Sequence, residues 1–203
     1  MSILQATRRS LFSGLSIRAL ASYLLRDLFA GTNGTNLTAH TMNTGPGWTQ
    51  LSGGFTLNGS GQAVPTGAGV CLDVASAGQS DMDVSATVQA SALTPIAGIA
   101  LRVQDASNYF QAILDFSGNG YGFSLFEISG GAAFQRAFFS ISPSTGTPYT
   151  LRCSAKGTLF TGYLNGVSEW TYTSSDFQTQ QNAGLRNNLA TAMVYSNFQV
   201  VAP

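Results

Sequence analysis

From about residue 28 onward no stretch keeps the spacing of an amphipathic helix. Tight-turn pairs instead cut the chain into short runs that alternate apolar with polar. Asn-Gly occurs at Asn33-Gly34, Asn58-Gly59, Asn119-Gly120 and Asn165-Gly166, and Gly-Gly at Gly53-Gly54 and Gly130-Gly131. Such pairs supply the positive φ angles that two-residue hairpins require. The β-rich runs between them include 82–89, 98–103, 109–116, 121–128, 149–155, 159–164, 167–172 and 193–201. Val84, Ala86 and Val88 share one face of their run, and Ser85, Thr87 and Gln89 the other; Leu151, Cys153 and Ala155 oppose Arg152 and Ser154. Alternation of this kind makes one dry face and one wet face. Prolines sit near run boundaries, at Pro65, Pro95, Pro143 and Pro148. Roughly a dozen short strands with short connections predict an all-β, two-sheet antiparallel sandwich.

The beginning of the chain reads differently. Arg8, Arg9, Arg18 and Arg26 fall in a stretch without acids, and Leu20, Leu24 and Leu28 recur every fourth residue beside Ile17 and Ala21. That spacing predicts a helix from Ser13 to Phe29, about 25 Å long. Three readings are open. Thr7-Arg8-Arg9-Ser10-Leu11 loosely matches a twin-arginine export signal, although Arg18 interrupts the apolar region. The helix can pack on its own domain, or it can serve as an arm that docks on another subunit. The arm is the expectation adopted, because an isolated helix of this length is marginal in water and termini order only when tied down. The chain then divides into a docking arm over 1–26, with Arg8, Arg9, Arg18, Leu20 and Leu24 in contact, and a sandwich over 27–203.

Composition narrows the function. Nine basic and nine acidic residues balance in 203, leaving no cationic face for phosphates, so nucleic-acid binding is not expected. No apolar run approaches the roughly 18 residues of a membrane span. His40 is the only histidine, so a multi-histidine metal site is impossible, and no cofactor is expected. His40 lies in a polar loop and reads as a surface residue without a role. Asp81 and Asp83, two apart, suit a carboxylate pair, a calcium corner or a solvated turn. Asp105 and Asn108 bracket a turn and suit bonds to its backbone. Cys71 and Cys153 read as free thiols.

Asp27-Leu28-Phe29 precedes Gly34-Thr35-Asn36-Leu37, Gly47-Trp48 and Gly54-Phe55-Thr56-Leu57. Leu101-Arg102, Asp105 and Asn108-Tyr109-Phe110 come next, then Tyr149-Thr150-Leu151-Arg152, Leu164-Asn165-Gly166, Gly184-Leu185-Arg186 and Asn197-Phe198. Over about residues 27–201 this order resembles the concanavalin A-like lectin/glucanase jelly roll of the laminin-G-like kind. The resemblance implies a fold, and the fold hosts sugar binding, hydrolysis, adhesion and purely structural roles. Hydrolases of that family use Glu-x-Asp-x-Glu, a motif absent here, where Glu127 and Glu169 each stand alone. The chain is therefore not expected to be an enzyme.

Jelly rolls with so little charge and a short basic arm resemble accessory structural proteins of bacteriophage particles. The leading expectation is a virion structural protein, a capsid decoration, head fibre or tail module. Its arm would dock on other virion proteins or sister subunits of a homo-oligomer, and its sandwich would face outward. The alternative is a glycan-binding module for host-surface adhesion, on a particle or secreted; a secreted carbohydrate-active enzyme comes third. Glycan binding needs an aromatic platform with nearby amides and a charged group. Trp48, Tyr121 and Tyr163 are further aromatic candidates, and the expected face consists of Arg102, Tyr109, Gln111, Arg136 and Trp170.

Overall fold

The structure, a computed structural model, describes residues 22–67, 69–188 and 191–203. In chain order the strands are Tyr23–Asp27 (β1), Thr49–Ser52 (β2), Phe55–Leu57 (β3), Ala63–Pro65 (β4), Cys71–Ser76 (β5), Met82–Ala90 (β6), Ile96–Asp105 (β7) and Asn108–Asp115 (β8). Phe123–Ser129 (β9), Ala132–Phe139 (β10), Tyr149–Lys156 (β11), Leu159–Leu164 (β12), Val167–Thr173 (β13), Asn182–Asn188 (β14) and Met193–Val201 (β15) follow. A 3-10 turn at Leu37–Ala39 is the only helical element among the described residues, and no helix there is long and apolar enough to cross a membrane.

The strands form two antiparallel sheets. The first runs β13-β12-β11-β6-β15-β4-β3, with β1 also beside β15; the second runs β10-β9-β8-β7-β14-β5-β2. This is the two-sheet antiparallel jelly-roll sandwich that the sequence predicts. Asn165 and Gly166, at φ 51° and 86°, make the two-residue turn between β12 and β13. Gly130 and Gly131, at φ 57° and 82°, do the same between β9 and β10.

The two inner faces make the core. Val84, Ala86 and Val88 of β6 and Leu151, Cys153 and Ala155 of β11 meet Ile99, Leu101, Phe110, Ala112 and Leu114 of the opposite sheet. Aromatic pairs add to this core: Phe110 and Phe160 at 4.5 Å, Trp48 and Phe198 at 4.9 Å. Strands β7 to β9 are buried on both faces. Their outward side chains Ala100, Val103, Tyr109 and Ile128 cluster with Leu72 and Val74, as near-continuous apolar runs do. Both cysteines are free and buried.

The N-terminal expectation needs correction where it can be compared. Tyr23–Asp27 is a strand and not the end of a helix. Leu25 and Asp27 point inward, and β1 bonds to β15 with Asp27 opposite Phe198 and Tyr23 opposite Val201. A neighbouring strand satisfies the backbone groups of β1 and buries alternate side chains, which a short helix in water cannot match. Leu24 packs on the sandwich core from this strand, so the sandwich takes in part of the expected arm. Arg8, Arg9, Arg18 and Leu20 lie outside the described residues.

Candidate functional site

The five residues expected to form a glycan face do not converge. Arg102 has φ 49° at a break in register between β7 and β8, which turns its side chain into the sandwich. There it is fully buried, donating from Nε to Ser80 O at 3.1 Å and from Nη2 to Gly157 O at 2.7 Å and Asp81 Oδ1 at 3.3 Å. Burial lowers its pKa while Asp81 opposes the shift. Trp170 also points inward, tilted against Phe123 with ring centroids 5.2 Å apart. Arg136 lies on β10, its Nε 2.9 Å from Glu127 Oε2 and its guanidinium over the Phe134 ring. Tyr109 and Gln111 share the outward face of the second sheet, but each is only 3% exposed and offers no platform. Of the further aromatics, Trp48 is buried and Tyr163 lies under the Arg152 guanidinium at 4.1 Å. Only Tyr121 is substantially exposed.

The acids have structural partners. Asp27 is fully buried: its Oδ1 accepts from Phe29 N at 2.8 Å and lies 3.0 Å from His40 Nε2, and its Oδ2 accepts from Trp48 Nε1 at 2.8 Å. His40 is thus not an idle surface residue but part of the clamp that holds the opening loop. Asp81 receives Gly157 N and Arg102; Asp83 is bidentate to Arg152, whose pKa that contact raises. The two neighbouring acids therefore serve separate arginines rather than one ion. Asp105 accepts from Ser107 N and the Asn108 side chain, as the turn reading expects, and these bonds lower its pKa. Among the described residues no three His, Cys, Asp or Glu side chains are grouped to hold a metal.

A concave site lies at one end of the sandwich, where three loops meet. The β6–β7 loop contributes Leu93, the end of β8 and the β8–β9 loop contribute Asp115 to Gly118, Gly120 and Gly122, and the β10–β11 loop contributes Ile141 to Thr145. The cavity between them measures about 530 Å³, within the usual range for small-molecule sites. Leu93 and Ile141 supply the accessible apolar surface, with Phe116 and Pro143 buried behind them; Ser117, Ser142, Ser144 and Thr145 supply hydroxyls. Asp115 is the only charged residue in the lining.

Local chemistry fixes the three walls. Asp115 Oδ1 accepts from the amide and hydroxyl of Ser117, and its Oδ2 accepts from Tyr121 N at 3.0 Å, so one carboxylate folds the glycine-rich loop on itself. Phe116 N donates to Pro95 O at 3.1 Å, tying that loop to the one bearing Leu93. The third loop is anchored by Gly146 N to Ala90 O at 2.8 Å, Gln89 Nε2 to Gly146 O at 2.6 Å and Ser144 N to Tyr149 Oη at 3.0 Å. Tyr149 in turn meets Phe116 edge-on at 5.9 Å. A site walled by hydroxyls and peptide groups over apolar carbons matches a neutral, polyhydroxylated molecule.

No known family and no curated protein sequence matches the chain. Solved structures do. The carbohydrate-binding module CBM66 from Bacillus subtilis superposes with a TM-score of 0.60 at 18% identity, over 76% of this chain and 94% of that one. Domain 4 of AbnA, a GH43 extracellular arabinanase from Geobacillus stearothermophilus solved in complex with arabinotriose, gives 0.59 at 16% identity over 90% and 93%. A provisionally named β-glucanase from Mycobacterium abscessus gives 0.57 at 11% over 88% and 100%. The chain has the concanavalin A-like jelly-roll fold. At these identities the likeness speaks for fold alone.

Sequence reasoning missed the rim residues Leu93, Asp115, Ser117, Ser142 and Ser144. The available signal was the Ser117-Gly118-Asn119-Gly120 turn and the prolines at 95, 143 and 148, which mark loops without saying which loops meet.

Proposed function

We propose that this chain is a glycan-binding module whose ligand, a neutral sugar, sits in the cavity at the loop end of the sandwich. The observation that carries this reading is the lining itself: four hydroxyl side chains and a glycine-rich backbone beside Ile141 and Leu93, with one buried carboxylate and no cation. The carbohydrate-binding module and the arabinotriose-bound arabinanase domain named above share the sandwich, which supports the choice of ligand class. Binding rather than hydrolysis is preferred because glycoside cleavage takes two carboxylates across the scissile bond, and the cavity lining holds only Asp115. The virion placement expected from the sequence leans on a docking arm over 1–26, of which 1–21 lie outside the described residues, and on an analogy that none of the comparisons carries. It is therefore secondary to glycan binding.

The test is a glycan array of neutral polysaccharide fragments, followed by calorimetry on the hits. Leu93→Arg and Ser144→Trp, both at the mouth, should abolish binding while leaving the melting temperature unchanged. Absence of any sugar bound at millimolar concentration, where a complex is worth only about 4 kcal/mol, overturns the reading. So does binding that survives both substitutions.

A further inference from the structure

The two sides of the sandwich are finished differently. On one side the sheets end in short strands, β3 with three residues and β2 with four. On the other they end in β10 with eight residues and β13 with seven. These two long edges lie in contact, one in each layer, and among the described residues neither has a strand on its outer flank.

Long free edges are usually blunted by lysine, proline or charge. Neither β10 nor β13 contains lysine or proline. Arg136 on β10 is already engaged by Glu127, which leaves Glu169 as the other charged residue of the pair of strands. Each of the two edges also carries an exposed apolar side chain: Phe134 on β10 and Val167 on β13 are 45 and 61% exposed. Exposed apolar residues on both free edges suit an interface.

We propose that this side is a homodimer interface in which a second copy of the chain continues both sheets. A two-fold axis passing through both layers lays each edge strand antiparallel to its own counterpart, so one symmetric contact satisfies β10 and β13 together. A two-fold interface requires such self-complementarity, and a strand edge supplies it through its own backbone. Eight residues span about 26 Å. Two layers about 10 Å apart, with side chains on each, make a strip roughly 20 Å deep, or about 500 Å² per copy. The total of about 1,000 Å² stands at the lower limit for a specific interface, so the dimer should be weak, with a dissociation constant in the micromolar range. The geometry does not depend on the sugar reading, since the cavity lies at the loop end and these edges flank the strands.

The test is sedimentation velocity of the full chain from about 1 to about 100 µM, with hydrogen exchange at both ends of that range. The unaltered protein should pass from monomer to dimer, and the amides of 132–139 and 167–173 should gain protection as it does. Phe134→Lys with Val167→Lys should stay monomeric with an unchanged melting temperature. Leu93→Lys, which removes an exposed apolar residue elsewhere, should dimerise normally. The proposal fails if the unaltered protein is monomeric at about 100 µM. It also fails if the double variant still dimerises, or if the two edges gain no protection in the dimer.

Discussion

Replacing Asp73 with Asn should flatten the pH dependence of stability between about pH 4 and pH 7. Asp73 sits on β5 with its side chain inward and is 1% exposed. Oδ2 accepts from Phe55 N at 3.2 Å, and Oδ1 has no hydrogen-bond partner. Burial pushes its pKa up from 3.8 to about 7, against the smaller opposing pull of the Phe55 amide. A raised pKa means that the folded chain holds the proton more tightly than the unfolded chain does. The stabilising contribution is therefore complete below about pH 3.8, is lost as pH climbs through about 7, and does not change further above that. A rise from 3.8 to about 7, at about 1.4 kcal/mol per pH unit, amounts to about 4 kcal/mol. That is a large share of the roughly 5–15 kcal/mol that holds a domain folded.

Asn cannot titrate but keeps the shape and the acceptor for Phe55 N. Urea unfolding of both proteins at several pH values gives the needed quantity, the difference in unfolding free energy between them. Titration of every other group cancels in that difference. It should move in favour of Asp73→Asn by about 4 kcal/mol between pH 4 and pH 8, whatever its starting value. Parallel curves for the two proteins would refute the reasoning, because they would mean that Asp73 ionises as freely folded as unfolded.

Gly162→Ala should destabilise by about 1–3 kcal/mol, because a Cβ there would overlap the Trp170 ring; in a Trp170→Leu background thermal melting should show most of that loss removed. Arg102→Met keeps the aliphatic volume but removes bonds to Ser80 O, Gly157 O and Asp81. Urea unfolding should show a loss of about 3 kcal/mol at roughly 1 kcal/mol per bond, and an unchanged midpoint would show that the buried guanidinium contributes nothing.

The strands were legible because their signals are local. Leu164-Asn165-Gly166-Val167 encodes a hairpin within four residues, and alternation in 82–89 and 149–155 tells which side chains face inward. β1 was misread because Leu20, Leu24 and Leu28 carry a helical spacing, while the deciding partner, β15, lies some 175 residues away in sequence. Arg102 was misread for a related reason. Strand parity would place it beside Ala100 on the outward face, and only the positive φ at the register break turns it inward. Both errors come from features that a distant strand or a bulge imposes on a local pattern.

The cavity was illegible for a different reason. Serine, threonine and glycine are common throughout this chain, so the rim loops carry no compositional mark. What distinguishes Ser117, Ser142 and Ser144 is that sheet order brings three loops from both layers to one end. The scarcity of charge nevertheless bears on the ligand. Asp27, Asp81, Asp83 and Glu127 are engaged by His40, Arg102, Arg152 and Arg136. Asp73 is buried in the interior, and Asp115 is occupied in folding its own loop. Asp115 is the one charged residue in the cavity lining, so no free ionised group there meets an anionic or cationic ligand. On the proposed reading, recognition at this rim would fall to hydroxyls, peptide groups and apolar carbon, the chemistry that a neutral sugar presents in return.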